Sequence, residues 1–260
     1  MEIPLFPLHT VLCPGILLPL HIFEDRYRAL TRHCLDTGAP FGVVLIRDGR
    51  EVGDGRELAL AGVGALVEIR EAGRYPDGRY DLLAAATGRF AIDAVDPGRE
   101  PYLVADVTPL EDEVGDEARA ERLAASAIRR FVRYLELMRA RDGETNEELD
   151  IRVEFDSARP DADPAAEDEA GDDDPVAEAL DAAERGQSLL IPDDPTVLSY
   201  LLSGIIQIEL PRRQALLEAR TTVDRLEALV VLLDRELLLL GSRLRLFAPD
   251  PRVSSGPRRS

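Results

Sequence analysis

Three histidines (His9, His21 and His33) and two cysteines (Cys13 and Cys34) are the side chains best suited to hold a metal or to activate a nucleophile. Their spacing does not favour a metal: no pair stands at CxxC or HxxxH separation, and His33 and Cys34 are neighbours whose side chains project about 100° apart on a helix. No metal site is expected. A catalytic nucleophile and base need only meet in space, but no GxSxG or comparable elbow is present. Cys34 reads as a core residue, and the histidines as surface or hydrogen-bonded strand residues.

All 31 basic residues are arginine, so the sequence contains no lysine. A Walker A loop, which needs its lysine on the β- and γ-phosphates, cannot exist in these residues. A Ser–Lys dyad, a Schiff-base enzyme and a lysine-anchored pyridoxal site are excluded in the same way. The abundance of Arg, Ala, Gly, Pro and Asp points to a compositional bias as the cause, which does not weaken the exclusion. Gly62-Val63-Gly64 lacks the third glycine and the following helix of a dinucleotide fingerprint, and reads as a turn. No cofactor is expected, and the chain reads as non-enzymatic.

The 260 residues are 45% hydrophobic and 31% charged, the balance of a soluble globular protein of one or two domains. A net charge of -19 argues against nucleic acid, whose backbone is held by basic residues. No apolar run reaches the roughly 20 residues that span a bilayer; the longest, Val11 to Phe23, is broken by Pro14, Pro19 and His21. Met1-Glu2-Ile3-Pro4 has no basic region of a secretory signal. Two cysteines make no disulfide framework and are expected reduced. No membrane is expected as a partner, and a cytoplasmic location is.

Residues 1–112 are rich in short apolar runs broken by Gly, Pro and Asp, which predicts strands at 3–8, 16–22, 41–46, 65–71, 80–86, 90–95 and 103–107. Tyr75-Pro76-Asp77-Gly78 predicts a hairpin turn between the fourth and fifth of these. One helix is predicted from Glu24 to Leu35, with Phe23, Tyr27, Leu30 and Cys34 on one face and Gly38 as its cap. Residues 113–248 read as a helical bundle. Its helices run from Asp116 to Arg141, from the N-cap Asp194 to Ile208, from Pro211 through Leu217, and from Thr222 to Leu240, ended by Gly241. The last carries Val223, Leu226, Val230, Leu233, Leu237 and Leu240 at steps of three and four, a packing seam. A disordered acidic insert is expected over about 156–190. Within it, residues 156–185 hold twelve acidic residues against two arginines, -10 of the net -19. It reads as a solvated linker, or functionally as a decoy for basic partners or a solubility aid. A loose tail is expected over 249–260.

The N-terminus carries Ile3-Pro4-Leu5-Phe6-Pro7-Leu8, Val11-Leu12-Cys13-Pro14-Gly15, and Leu18-Pro19-Leu20-His21-Ile22-Phe23-Glu24 followed by Arg26-Tyr27. Phe41-Gly42-Val43-Val44-Leu45-Ile46, Gly62-Val63-Gly64, Asp77 to Leu82, Gly88-Arg89-Phe90 and Pro101 to Ala105 continue the pattern, and Arg213 to Glu218 extends it into the helices. This resembles the N-terminal substrate-binding domain of Lon proteases in its stand-alone form, without the AAA+ and protease domains. The resemblance spans nearly the whole chain except the acidic insert and the tail. It implies an α+β fold, a PUA-like β pseudo-barrel with one inserted helix, followed by a C-terminal helical bundle. It also implies a non-catalytic module that binds polypeptide segments or a protein partner, in protein quality control. The alternatives are a small-molecule-binding PUA-like domain and a cryptic hydrolase.

The strip from Leu18 to Tyr27 has the most distinctive local chemistry. Its structural reading puts Phe23 and Tyr27 in the core, Glu24 and Asp25 at a helix N-terminus, and Arg26 on a carboxylate. Its functional reading makes Leu18, Leu20, His21, Phe23, Glu24, Arg26 and Tyr27 the lining of a groove for extended polypeptide, bound by strand addition or in side-chain pockets.

Overall fold

The computed structural model describes residues 1–48, 59–142, 154–156 and 190–247. The chain divides into two compact units, residues 1–121 with 194–229 and residues 122–193 with 230–260.

The first unit is built on β1 (Glu2–Leu8), β2 (Leu17–Ile22), β3 (Phe41–Asp48), β4 (Ala59–Leu60), β5 (Val63–Arg74), β6 (Tyr80–Asp96) and β7 (Leu103–Leu110). Going round, β1 pairs with β7, β7 with β6, β6 with β5, β5 with β3, and β3 back with β1, so five strands close into a ring. Every contact is antiparallel except the parallel β1–β3 pair. Prolines are uncommon inside such strands because they lack a donor. Here β1 exchanges partners at Leu5, pairing with β7 over 2–5 and with β3 over 5–8, so Pro4 and Pro7 each have one edge without a strand.

Gly88 interrupts the apolar pattern and predicts two strands, at 80–86 and 90–95. The structure instead has the single strand β6, whose first half pairs with β2 and whose second half pairs with β7. Both halves pair with β5, with a register shift between Leu66 and Val67. Gly64, read as part of a turn, lies inside β5: a Cβ there would come within 2.6 Å of the Phe90 ring and of the Val43 carbonyl. A Cβ at Gly42 would meet the same ring at 2.6 Å. These two glycines give Phe90 its place in the core.

Helix α1 (Asp25–Thr37) follows β2 and ends at Gly38, whose φ of 69° lets its amide bond back to Cys34. It buries Tyr27, Leu30 and Cys34 against Phe6, Phe41 and Val67, and Tyr27 stacks on Phe6 with ring centres 4.0 Å apart. A second core cluster of the same unit joins Ile3, Leu5, Cys13, Phe90 and Val107 to Tyr200 and Leu217. Those last two come from α3 (Pro195–Ile205) and α4 (Leu210–Glu218). The Asp194 side chain caps α3, accepting from Thr196 and Val197 amides. The predicted hairpin turn is present: Gly78 donates to the Tyr75 carbonyl at 3.0 Å with φ 86°.

Helices α2 (Glu117–Asp142) and α5 (Thr222–Phe247) each contribute to both units. Gly241, expected to stop α5, lies inside it. Leu and Arg on either side are strong helix formers, and together they outweigh the ~1 kcal/mol that one glycine costs. In the second unit Arg130 donates to Asp234 at 2.7 Å, and Phe131, Tyr134, Ile191 and Leu233 are buried. Strands β8 (Glu154–Asp156) and β9 (Leu190–Pro192) pair in parallel at the ends of the acidic stretch. The rest of the expected insert, and the tail from 249, lie outside the described residues.

Candidate functional site

Strand β2 carries the centre of the sequence-derived candidate set. It pairs with β6 along its length, from Leu17 opposite Ala85 to Ile22 opposite Tyr80, and among the described residues no strand pairs with its other edge. An edge of this kind presents unpaired backbone donors and acceptors to any extended chain. Pro19 leaves one gap in that row, consistent with the confinement of strand prolines to edges.

Alternation sorts the side chains. Leu18 and Leu20 are half-buried against the core and Ile22 is fully buried, while Leu17, Pro19 and His21 face outward. Phe23 is 62% exposed and Leu17 50%. Glu24 and Arg26 are half-buried and pair with each other, Nε donating to Oε2 at 2.9 Å, with the guanidinium 4.4 Å from the Tyr27 ring centre. Tyr27 itself is buried in the core, as its structural reading requires, whereas Phe23 is on the surface and not in the core.

Pairing with β6 brings up residues that the linear pattern did not join to this strip. Asp81, opposite His21, sits 2.6 Å from His21 Nδ1 and accepts a hydrogen bond from the Tyr75 hydroxyl. Those bonds, from Tyr75 first and then His21, hold the Asp81 carboxyl below its ordinary range. An ionised carboxylate can only accept, so Nδ1 carries the proton. His21 Nε2 faces Arg79 Nη1 at 3.4 Å, and Arg79 also lies over the Tyr75 ring. The His21 ring is 6.3 Å from Phe23 and 6.2 Å from Tyr75. Three exposed rings thus gather at the end of β2, around His21, with a carboxylate and an arginine of the neighbouring hairpin beside them. Such a surface offers apolar and stacking contacts beside backbone hydrogen bonds.

A second polar cluster in the first unit was not legible in the sequence. Arg225, near the start of α5, is fully buried and donates to the Leu216 carbonyl at 3.1 Å, Ser199 Oγ at 2.9 Å and the Tyr200 hydroxyl at 2.8 Å. Buried Arg89 of β6 donates to the carbonyls of Leu217 at 2.9 Å and Ala219 at 2.8 Å and to Asp112 at 2.7 Å. The Tyr200 hydroxyl donates to the same Asp112 oxygen. Burial pushes the Tyr200 hydroxyl above its ordinary range and pulls the Arg225 guanidinium below its own. Nearly every polar group here is occupied by another, so the cluster fastens α3, α4 and the first turns of α5 to β6.

Cys13 and Cys34 are both free and buried, and burial pushes each thiol up to about 11, in Cys13 against an opposing pull from Arg213 and Arg225. A thiol so raised is a poor nucleophile at neutral pH. Among the described residues no three His, Cys, Asp or Glu side chains gather as a metal site, and no helix is long and apolar enough to cross a membrane. A cleft of about 580 Å³ opens between β3 and α4, lined by Leu45, Ile46, Arg47, Leu210, Gln214 and Glu218 among others.

The likeness to known proteins follows the fold described above. Lon protease of Azorhizobium caulinodans is 23% identical over 245 residues, which cover 94% of this chain and 24% of that protease. This chain therefore spans about a quarter of that relative's length. The crystal structure of a Lon N-terminal domain protein from Xanthomonas campestris superposes with a TM-score of 0.53 at 24% identity, covering 89% of this chain and 98% of that one. The N-terminal domain of the Mycobacterium avium complex Lon protease gives 0.55 at 19% identity, covering 90% and 98%. Both share the combination of an antiparallel sheet with helices. The sequence model of the ATP-dependent protease La (LON) substrate-binding domain matches residues 2–235, so this chain belongs to the Lon substrate-binding domain family.

Proposed function

We propose that this chain is a non-catalytic recognition module that binds extended polypeptide segments, or a protein partner presenting one, along the open edge of β2. The observation that carries it is the β2 edge that has no strand partner among the described residues, with exposed Leu17 and Phe23 on the same strip and Tyr75 beside His21. An extended chain would add to the strand on either side of Pro19 and set its apolar side chains against Phe23, His21 and Tyr75. Leu18 and Leu20 would support that surface from within, and the Glu24–Arg26 pair and Tyr27 would hold the start of α1 behind Phe23. Family membership supports polypeptide as the ligand, and quality control in the cytoplasm is the setting it suggests. The finer architecture we propose is a PUA-like pseudo-barrel over 1–112 followed by a helical bundle over 113–248, of which α3 and α4 stay with the barrel.

Fluorescence anisotropy with a reduced and alkylated, permanently unfolded polypeptide tests this reading, with the same polypeptide in its folded form as control. Binding of the unfolded form alone is expected. Phe23→Ser should weaken it about tenfold, the effect of losing an interface anchor. Equal binding of the folded form, or an unaffected Phe23→Ser variant, would overturn the reading. The small-molecule alternative draws on one observation, the cleft between β3 and α4.

A further inference from the structure

We propose that the cleft between β3 and α4 is a second binding site, for an apolar molecule headed by a cation such as a primary ammonium. Its volume of about 580 Å³ lies in the range of small-ligand sites, roughly 300–1,000 Å³. Leu45, Ile46, Leu210 and Pro211 line its apolar side. At the polar end stands Glu218, whose Oε1 accepts from Gln214 Nε2 at 2.8 Å and from Arg47 Nη2 at 2.9 Å.

These two contacts differ in kind. Gln214 is buried, and its Nε2 also donates to the Val63 carbonyl at 3.0 Å, so the carboxylate is held in place by an amide fixed to β5. Arg47 is 53% exposed and reaches the carboxylate from the solvent side. An exposed ion pair of that sort contributes little to stability. The chain's own guanidinium therefore occupies the position of a displaceable cation on a carboxylate that Gln214 orients.

The sign of the ligand's charge follows from the same groups. A carboxylate ligand directed at Arg47 would sit beside Glu218 and be repelled by it. More than half of the net charge of -19 lies in residues 156–185, nearly all of them outside the described residues, so the preference rests on Glu218 itself. An ammonium group on Glu218, with Arg47 swung into solvent, meets no such repulsion. This site is separate from the β2 edge and does not depend on what that edge binds.

The test is an amide-resolved NMR titration of the full chain with hexylammonium chloride and, separately, sodium hexanoate. Saturable shifts at 45–47 and 214–218 with hexylammonium, and none with hexanoate, are expected. Arg47→Ala removes the competitor and should tighten hexylammonium binding by roughly two- to fivefold, the worth of the pair it breaks. Glu218→Gln keeps an acceptor for Gln214 but loses the charge, and should weaken binding about tenfold. Preference for hexanoate, weaker binding in Arg47→Ala, or no saturable shift with hexylammonium would overturn the proposal.

Discussion

The guanidinium carbon of Arg225 lies 3.7 Å from the centre of the Tyr200 ring, while its Nη2 donates to the Tyr200 hydroxyl at 2.8 Å. One side chain thus meets both the face and the polar end of the other, and the Arg225 side chain is fully buried. Removing a buried guanidinium leaves Ser199, Tyr200 and the Leu216 carbonyl without their donor. Arg225→Met is expected to cost about 3–5 kcal/mol in urea unfolding. A loss under about 1 kcal/mol would mean that the cluster is not what holds these helices.

Asp112 is the carboxylate that accepts from Arg89 and Tyr200 and lies 3.8 Å from Arg225. Asp112→Asn should therefore destabilise, and the double variant with Arg225→Met should lose less than the two single losses added. A double-mutant cycle with a coupling of at least about 1 kcal/mol is expected. Strict additivity would show that the two groups act separately.

Phe90 depends on two missing side chains. Gly64→Ala places a methyl 2.6 Å from both the ring and the Val43 carbonyl, and the carbonyl belongs to a paired strand that cannot give way. A cost of about 1–3 kcal/mol is expected. Gly62→Ala meets nothing within 4 Å and should stay within about 0.5 kcal/mol of the parent. Equal tolerance at both positions would contradict the packing described for Phe90.

How much of this was legible in the sequence depended on whether the cue was local. The α1 stripe of Tyr27, Leu30 and Cys34, the Gly38 cap, the Asp194 cap and the turn at Gly78 all follow from spacing and side-chain type within a few residues. Arg89 and Arg225 could not be read in this way. Each is an arginine in an otherwise ordinary strand or helix, and its partners carry no local mark: Asp112 and the distant Leu217 and Ala219 carbonyls for Arg89, and groups of α3 and α4 for Arg225. The β2 surface divides likewise: Leu18 to Tyr27 stands out as a string, but Tyr75, Arg79 and Asp81 join it only through the register that sets His21 opposite Asp81. Phe23 was expected on the α1 core face and lies outside it because the helix begins two residues later, at Asp25.

Cys13 supplies a pH dependence with a definite sign. Burial raises its thiol from an ordinary 9.0 to about 11, so the folded state holds the proton more tightly than the unfolded state does. The associated stability is complete below pH 9.0 and is lost as pH rises towards about 11. Two pKa units correspond to roughly 3 kcal/mol at most. Urea midpoints measured from pH 8 to 11 should fall more steeply for the parent than for Cys13→Ala. Parallel curves would contradict the assignment. At pH 8 the folded chain should react slowly with a thiol reagent and release both thiols on unfolding.

The open β2 edge is the centre of the account, and hydrogen exchange reads it directly. Amide exchange of the full chain, followed with and without a saturating unfolded polypeptide, should show new protection at 17–23 and around Tyr75, because outward backbone groups of β2 become bonded to the added chain. Protection confined to other surfaces, with β2 exchanging as fast as in the free protein, would contradict it.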